Sequence, residues 1–208
     1  MYSLVLVIVL GLMPIATMAK SIVVLGDSIS AGYGIDVSEG WVNLLQQKFK
    51  QAPSDYVIHN ESISGDTSAG GLARIDSILS RHQPMMVLIE LGANDGLRGL
   101  SPQEMKRNLS DIIRRAENAS AKTMLLGMKI PPNYGKRYIE MFYAIYPQLS
   151  AELNVPLVPF ILEDVALHPE MMQADGLHPN ALGQPLIAEK VWEALWPMLN
   201  HQSSTRSR

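Results

Sequence analysis

The chain of 208 residues contains no cysteine. That excludes disulfides, thiolate nucleophiles and cysteine-bound zinc or iron–sulfur centres, but it leaves the compartment open, because a disulfide-free protein survives in either redox environment. Neither sign of charge is in large excess: the formal net charge is −3, which gives no basis for a nucleic-acid surface. Several signatures are also missing. There is no HExxH pair for zinc, no GxxxxGK(S/T) or GxGxxG loop for nucleotides, and no GxSxG elbow, since Ser30 stands where the second glycine would fall. Internal repeats and low-complexity tracts are absent. What remains is ordinary globular composition, 47% hydrophobic and 18% charged, long enough for one domain with a continuous core. No cofactor is expected.

The opening stretch "MYSLVLVIVLGLMPIATMA" lacks a Lys or Arg, so only the α-amino group supplies a positive start. Its apolar run from Leu4 to Ile15 is broken by Gly11 and Pro14, and it ends in small residues with Thr17 and Ala19 two apart. A membrane anchor is the competing reading, but the run falls short of the ~20 residues that a spanning helix needs. Residues 1–19 are therefore expected to be a cleaved signal peptide, with no stable membrane anchor and a periplasmic or secreted mature chain.

Five short apolar runs have the character of buried strands: residues 21–26, 56–62, 85–92, 123–130 and 155–160. Amphipathic stretches separate them. Trp41, Leu44, Leu45 and Phe49 share one helical face, and "SPQEMKRNL" opens with Ser101 as N-cap, Pro102 at the first helical position and Glu104 in capping-box register. Helical spacing also marks 67–81, 138–153 and 180–200. Strands alternating with helices predict right-handed βαβ units and a parallel sheet covered on both faces, hence an α/β domain over 20–200. A disordered polar tail is expected at 201–208.

In such a sheet the ligand crevice lies beyond the carboxyl ends of the strands. The first strand ends in Gly26-Asp27-Ser28, the second runs into Ser64-Gly65, and the third into Gly92 with Asn94 and Asp95. After the fifth comes "QADGLHPN", with Asp175 and His178 in one turn and Pro179 behind them. A serine, a histidine and an acid at one rim are what nucleophilic acyl transfer requires: Ser28 as nucleophile, His178 as base, Asp175 to orient the imidazole. The Ser28 and Gly65 N–H groups and the Asn94 carboxamide are suitable donors for the developing oxyanion. Asp27 reads as a tie for the turn backbone, and Ser30 and Ser64 as loop hydroxyls.

"GDSIS", Gly65, "GAND" and "DGLHP" resemble, in order, the four sequence blocks of the SGNH hydrolase (GDSL esterase/lipase) family, and "LGANDGLRG", "PPNYGKRY" and "DGLHPN" are similar to its bacterial thioesterase, lysophospholipase and arylesterase branch. The resemblance implies a flavodoxin-like three-layer α/β/α sandwich with a five-stranded parallel sheet. It also implies Ser28, His178 and Asp175 as the reacting triad, with Gly65 and Asn94 completing the oxyanion hole. The expected partner is a small acyl ester or thioester, and the expected state a monomer. Two departures stand out. Ile29 replaces the usual leucine, and Ala93 replaces a glycine common in close relatives, adding a methyl near the site.

Competing readings remain for individual residues. Asp175 and His178 are also metal-ligand types, without a further cluster to complete a site. His168, followed by proline and preceded by Asp164, is the nearest rival to His178, although an exposed pair explains it. His59 reads as a core histidine, and His82 and His201 as exposed. Met141, Phe142, Ile145 and Tyr146 form an apolar stripe suited to the core. The loop "KIPPNYGKRY" either closes over an acyl chain or simply connects. At the level of function, a carbohydrate O-deacetylase and an inactive ligand-binding domain are the alternatives.

Overall fold

The computed structural model describes residues 20–205, with side chains described to residue 200. The signal segment expected over 1–19, His201 and residues 206–208 therefore lie outside what can be compared.

The chain folds through β1 (Lys20–Gly26), α1 (Ser28–Ala31), α2 (Trp41–Gln51), β2 (Tyr56–Asn60), α3 (Ser68–His82), β3 (Met86–Glu90), α4 (Ala93–Leu97), α5 (Pro102–Asn118), β4 (Lys122–Leu126), α6 (Lys136–Leu153), β5 (Leu157–Val158) and α7 (Gln184–Thr205). The five strands are parallel in the order β2-β1-β3-β4-β5, the flavodoxin-like winding whose switch point falls between β1 and β3. Helix α2 packs with α7, while α5 packs between α3 and α6; these are the two layers that cover the sheet. The parallel sheet covered on both faces, expected from the alternating runs, and the flavodoxin-like α/β/α sandwich implied by the resemblance are both observed.

All five expected strands are present; β1 begins one residue earlier than expected, and the other four are shorter than the apolar runs that marked them. β5 retains only Leu157 and Val158 in its ladder with β4, because Pro156 and Pro159 flank it and neither has an N–H to donate. At the N-terminus of α5, Ser101 Oγ accepts from the Glu104 N–H at 3.4 Å, half of the expected capping box. Helical backbone in α7 continues to Thr205, into the segment read as a polar tail.

Aromatic residues are only 6% of the sequence, and many of the large ones meet in one place. Phe49 of α2 lies 5.3 Å from Tyr56, 5.1 Å from Trp192 and 6.1 Å from Trp196, and the two tryptophans stack at 4.6 Å. This cluster joins α2 and α7 to the edge strand β2, far from the switch point. Phe49→Ala is expected to lower unfolding free energy by ~3–5 kcal/mol through lost burial and a cavity, with turnover per folded molecule unchanged. Denaturant titration alongside an ester assay checks both parts, and a loss below ~1 kcal/mol would show that the cluster is dispensable.

From the expected stripe on α6, Phe142, Ile145 and Tyr146 are in the core, whereas Met141 is exposed. Met141 sits one residue off the buried face, so it turns toward solvent.

Candidate active site

At the end of β1 the chain has no room for a side chain. A Cβ on Gly26 would lie 2.7 Å from Ser30 Cβ and 2.9 Å from Glu90 Oε2. Only glycine lets the strand pass directly into the tight helix α1, where Asp27 is the N-cap and its Oδ1 accepts from the Ile29 N–H at 3.1 Å. Ser28 is the first residue of that helix and half-buried. Asp27 thus ties the turn, as its position suggested. Ser30 is more than a loop hydroxyl: it is buried and donates to Glu90 at 2.7 Å.

Asp175 and His178 occupy the loop before α7. One oxygen of Asp175 accepts the backbone N–H groups of Leu177 (2.9 Å) and His178 (3.0 Å), and the other meets His178 Nδ1 at 2.6 Å. Burial works to raise this carboxyl, but these hydrogen bonds outweigh it and hold Asp175 down at about 2. An ionised acceptor at Nδ1 requires the proton on that nitrogen, so Nε2 carries the lone pair. Nε2 lies 2.9 Å from Ser28 Oγ, and the serine hydroxyl therefore donates to it. A chain from carboxylate to imidazole to hydroxyl is complete across 150 positions of sequence.

Residues outside the sequence reading hold this loop. Gln173 Nε2 donates to Tyr33 O at 2.7 Å and to Pro179 O at 3.1 Å, joining the segment after α1 to the histidine loop. The Tyr33 ring rests against the His178 ring with centroids 4.7 Å apart. Both were illegible in the sequence, since nothing marks an isolated Gln or Tyr as a brace.

Gly65 adopts φ 82°, a left-handed conformation that favours glycine. Its carbonyl accepts from Arg98 Nη2 at 2.7 Å, and Arg74 donates to Gly26 O, Glu61 O and the Asp66 carboxylate, so the β2–α3 loop is tied to β1. Asn94 lies in the first turn of α4 rather than on β3 itself, and its Nδ2 donates to Asp27 Oδ2 at 3.1 Å. Asp95 accepts from the Ser68 N–H at 2.8 Å and from Ser68 Oγ at 2.5 Å, locking α4 to the start of α3. Among the described residues the Ser28 and Gly65 N–H groups have no protein acceptor, which leaves both available to a bound oxygen.

The other histidines stand elsewhere. His168 pairs with Glu170 at 3.3 Å and not with Asp164, which goes to Lys190 at 2.8 Å. His59 is half-buried and stacks on His82 at 4.2 Å. His82, expected to be exposed, is half-buried because it bonds Glu61 at 2.5 Å beneath that stack. The Pro/Gly loop after β4 does border the α4 region: Tyr134 donates to Leu97 O and Tyr138 to Leu100 O, each at 2.8 Å.

A hydroxyl with its base poised to take the proton, beside unsatisfied N–H donors, can perform nucleophilic acyl transfer, and a fold of this winding with these groups at its switch point defines an α/β/α serine hydrolase. Residues 24–186 match the GDSL-like Lipase/Acylhydrolase family, and the chain belongs to it. The chain is 50% identical over 181 residues to esterase TesA of Pseudomonas aeruginosa, covering 87% of this chain and 90% of the relative. It is 47% identical over 188 residues to the thioesterase 1/protease 1/lysophospholipase L1 of Escherichia coli, covering 90% and 89%. The crystal structure of the psychrotrophic esterase EstA from a Pseudoalteromonas species, inhibited by monoethylphosphonate, superposes with a TM-score of 0.84 at 45% identity, covering 87% of this chain and 99% of that one.

Proposed function

We propose that this chain hydrolyses carboxylic esters and thioesters through an acyl-enzyme on Ser28. The observation that carries the reading is the 2.9 Å contact between Ser28 Oγ and His178 Nε2, with Asp175 fixing the opposite nitrogen at 2.6 Å. Ser28 Oγ attacks the acyl carbon as its proton passes to Nε2, and the imidazolium that forms is stabilised by the Asp175 carboxylate. The carbonyl oxygen becomes an oxyanion that accepts from the Ser28 and Gly65 N–H groups and the Asn94 amide. Collapse expels the alcohol or thiol with the proton returned by His178. Water, deprotonated by the same nitrogen, then releases the acid and restores Ser28.

The names of the relatives support the substrate class: one is called an esterase, another a thioesterase and lysophospholipase. Residues 1–19 are proposed as a signal peptide, the mature chain as periplasmic or secreted, and the domain over 20–200 as a monomer. Among the described residues no helix is long and apolar enough to cross a membrane. Mass measurement of the exported chain would place the cleavage point, and a mature product that keeps residues 1–19 would overturn the leader.

A fluorophosphonate should modify the protein at Ser28 and abolish turnover of p-nitrophenyl esters and acyl-CoAs together, because one acyl-enzyme serves both. Prolonged EDTA treatment should leave the rate unchanged, since base and donors are protein groups. Label on another residue would remove Ser28 as the nucleophile, and a rate lost to EDTA and restored by zinc or manganese would move Asp175 and His178 to a metal-ligand role.

A further inference from the structure

Beneath the nucleophile turn lies a carboxyl that the acyl-transfer steps do not use. Glu90 ends β3, stands in register with Gly26 and is fully buried in an otherwise apolar strand. Its Oε2 accepts from Ser30 Oγ at 2.7 Å and from the Asp27 N–H at 3.3 Å, while its Oε1 has no hydrogen-bond partner. Asp27, equally buried, holds the donors suited to an anion: the Ile29 N–H at 3.1 Å and Asn94 Nδ2 at 3.1 Å. Two buried carboxylates this close cannot both ionise near neutrality. Burial, then the neighbouring Asp27, pushes Glu90 well above the usual carboxylate range. Burial raises Asp27 only to about 6, opposed by its hydrogen bonds from Ile29 and Asn94. The charge therefore rests on Asp27, and Glu90 stays a neutral acid.

We propose that Glu90 is a positioning residue for the oxyanion site: through Ser30 and the Asp27 N–H it holds the nucleophile turn, and it leaves Asp27 as the anion that orients the Asn94 carboxamide. This rests on the reading of Ser28 and Asn94 as nucleophile and oxyanion donor. Neutrality at Glu90 is part of the role. When Glu90 ionises at high pH, a second buried charge repels Asp27, the turn shifts, and kcat falls. The other titratable groups around the pair are Tyr146 of α6, buried with its hydroxyl on Leu91 O, His178 facing Asp27, and Asp95 of α4. Arg74 of α3 reaches Gly26 O at 3.4 Å.

The test follows kcat and KM on one p-nitrophenyl ester from about pH 6 to 10, a range that separates acid and alkaline limbs. Glu90→Gln keeps the acceptor and has no proton to lose; it should stay within about threefold of wild-type kcat at neutral pH and lack the alkaline fall. Glu90→Leu fills the space without an acceptor; it should lose ~10–100-fold in kcat with KM within about threefold, as expected when transition-state geometry alone is affected. Ser30→Ala removes a donor that favours the ionised acid, so its alkaline limb should move to higher pH.

A folded Glu90→Leu with wild-type kcat would overturn the proposal. So would Glu90→Gln losing as much as the leucine variant, or wild type and Glu90→Gln sharing one alkaline limb. If Glu90→Leu does not fold, an unmoved limb in Ser30→Ala is the overturning result. Turnover retained by Ser28→Ala in the same assay would instead overturn the assignment of Ser28 as nucleophile, and the proposal with it.

Discussion

Ser28→Ala should lose at least ~10³-fold in kcat, and comparable triads lose about 10⁶-fold when the serine goes, because the attacking atom is removed while only binding and oxyanion stabilisation remain. The substitution deletes one hydroxyl whose sole protein partner among the described residues is His178 Nε2, at 2.9 Å. Ser28 is half-buried at the first position of α1, and the helix cap is Asp27, so neither packing nor capping depends on the hydroxyl. The fold should therefore survive, and circular dichroism with a denaturation curve should match wild type. Burst kinetics supply the second readout: wild type should release p-nitrophenol in a burst equal to the enzyme concentration, and Ser28→Ala should show none. A folded variant with turnover within tenfold of wild type would remove Ser28 from the mechanism and force a search for a different nucleophile at the same rim.

Asn94→Ala should lower kcat by ~10²–10³, about 3–4 kcal/mol in the barrier, with a smaller change in KM. One hydrogen of Asn94 Nδ2 is committed to Asp27 Oδ2 at 3.1 Å. The other has no protein acceptor among the described residues. A donor held by one bond and free on the other side is pre-organised, and it interacts more strongly with an oxyanion than with the ground-state carbonyl. Asn94→Asp should be at least as damaging, for two reasons that add. The new carboxylate would repel the oxyanion, and it would face Asp27, which is already raised to about 6, chiefly by burial. Sharing a proton with Asp27 is its way out, so part of the lost kcat should return as pH falls toward the range where the new pair protonates. If both variants fold and lose only substrate affinity, Asn94 is a binding residue and the Ser28 and Gly65 N–H groups carry the oxyanion alone.

Much of the site was readable because its parts obey local rules. The Asp175–His178 contact spans three positions and is closed by backbone bonds from Leu177 and His178, so a short turn suffices to build it. Gly65 was singled out as an oxyanion donor without any expectation for its φ, and the fold gives it φ 82°, a left-handed conformation that favours glycine. The strand ends were found from apolar runs meeting glycine and polar residues. Errors arose where a neighbour in space overrode a neighbour in sequence. Asp164 lies one helical turn before His168, yet Lys190 of α7 takes it. His82 ends an amphipathic helix and read as exposed, yet the ring of His59 covers it.

The sequence by itself determined the alternation of strands and helices, and with it the parallel sheet, because hydrophobic periodicity and N-caps act within a few residues. It also determined which short segments could carry chemistry. Only the tertiary structure decided which of them meet. The strand order brings Ser28 to His178 from 150 positions away, and register alone sets Glu90 beside Gly26. Glu90 is the clearest case: it lies within the run 85–92 read as a buried strand, where nothing singled it out, whereas the fold buries its carboxyl completely against a second buried acid. Burial, proximity and the resulting neutrality of one carboxyl are properties of packed space, where low dielectric makes a few ångströms decisive, and no spacing rule along the chain encodes them.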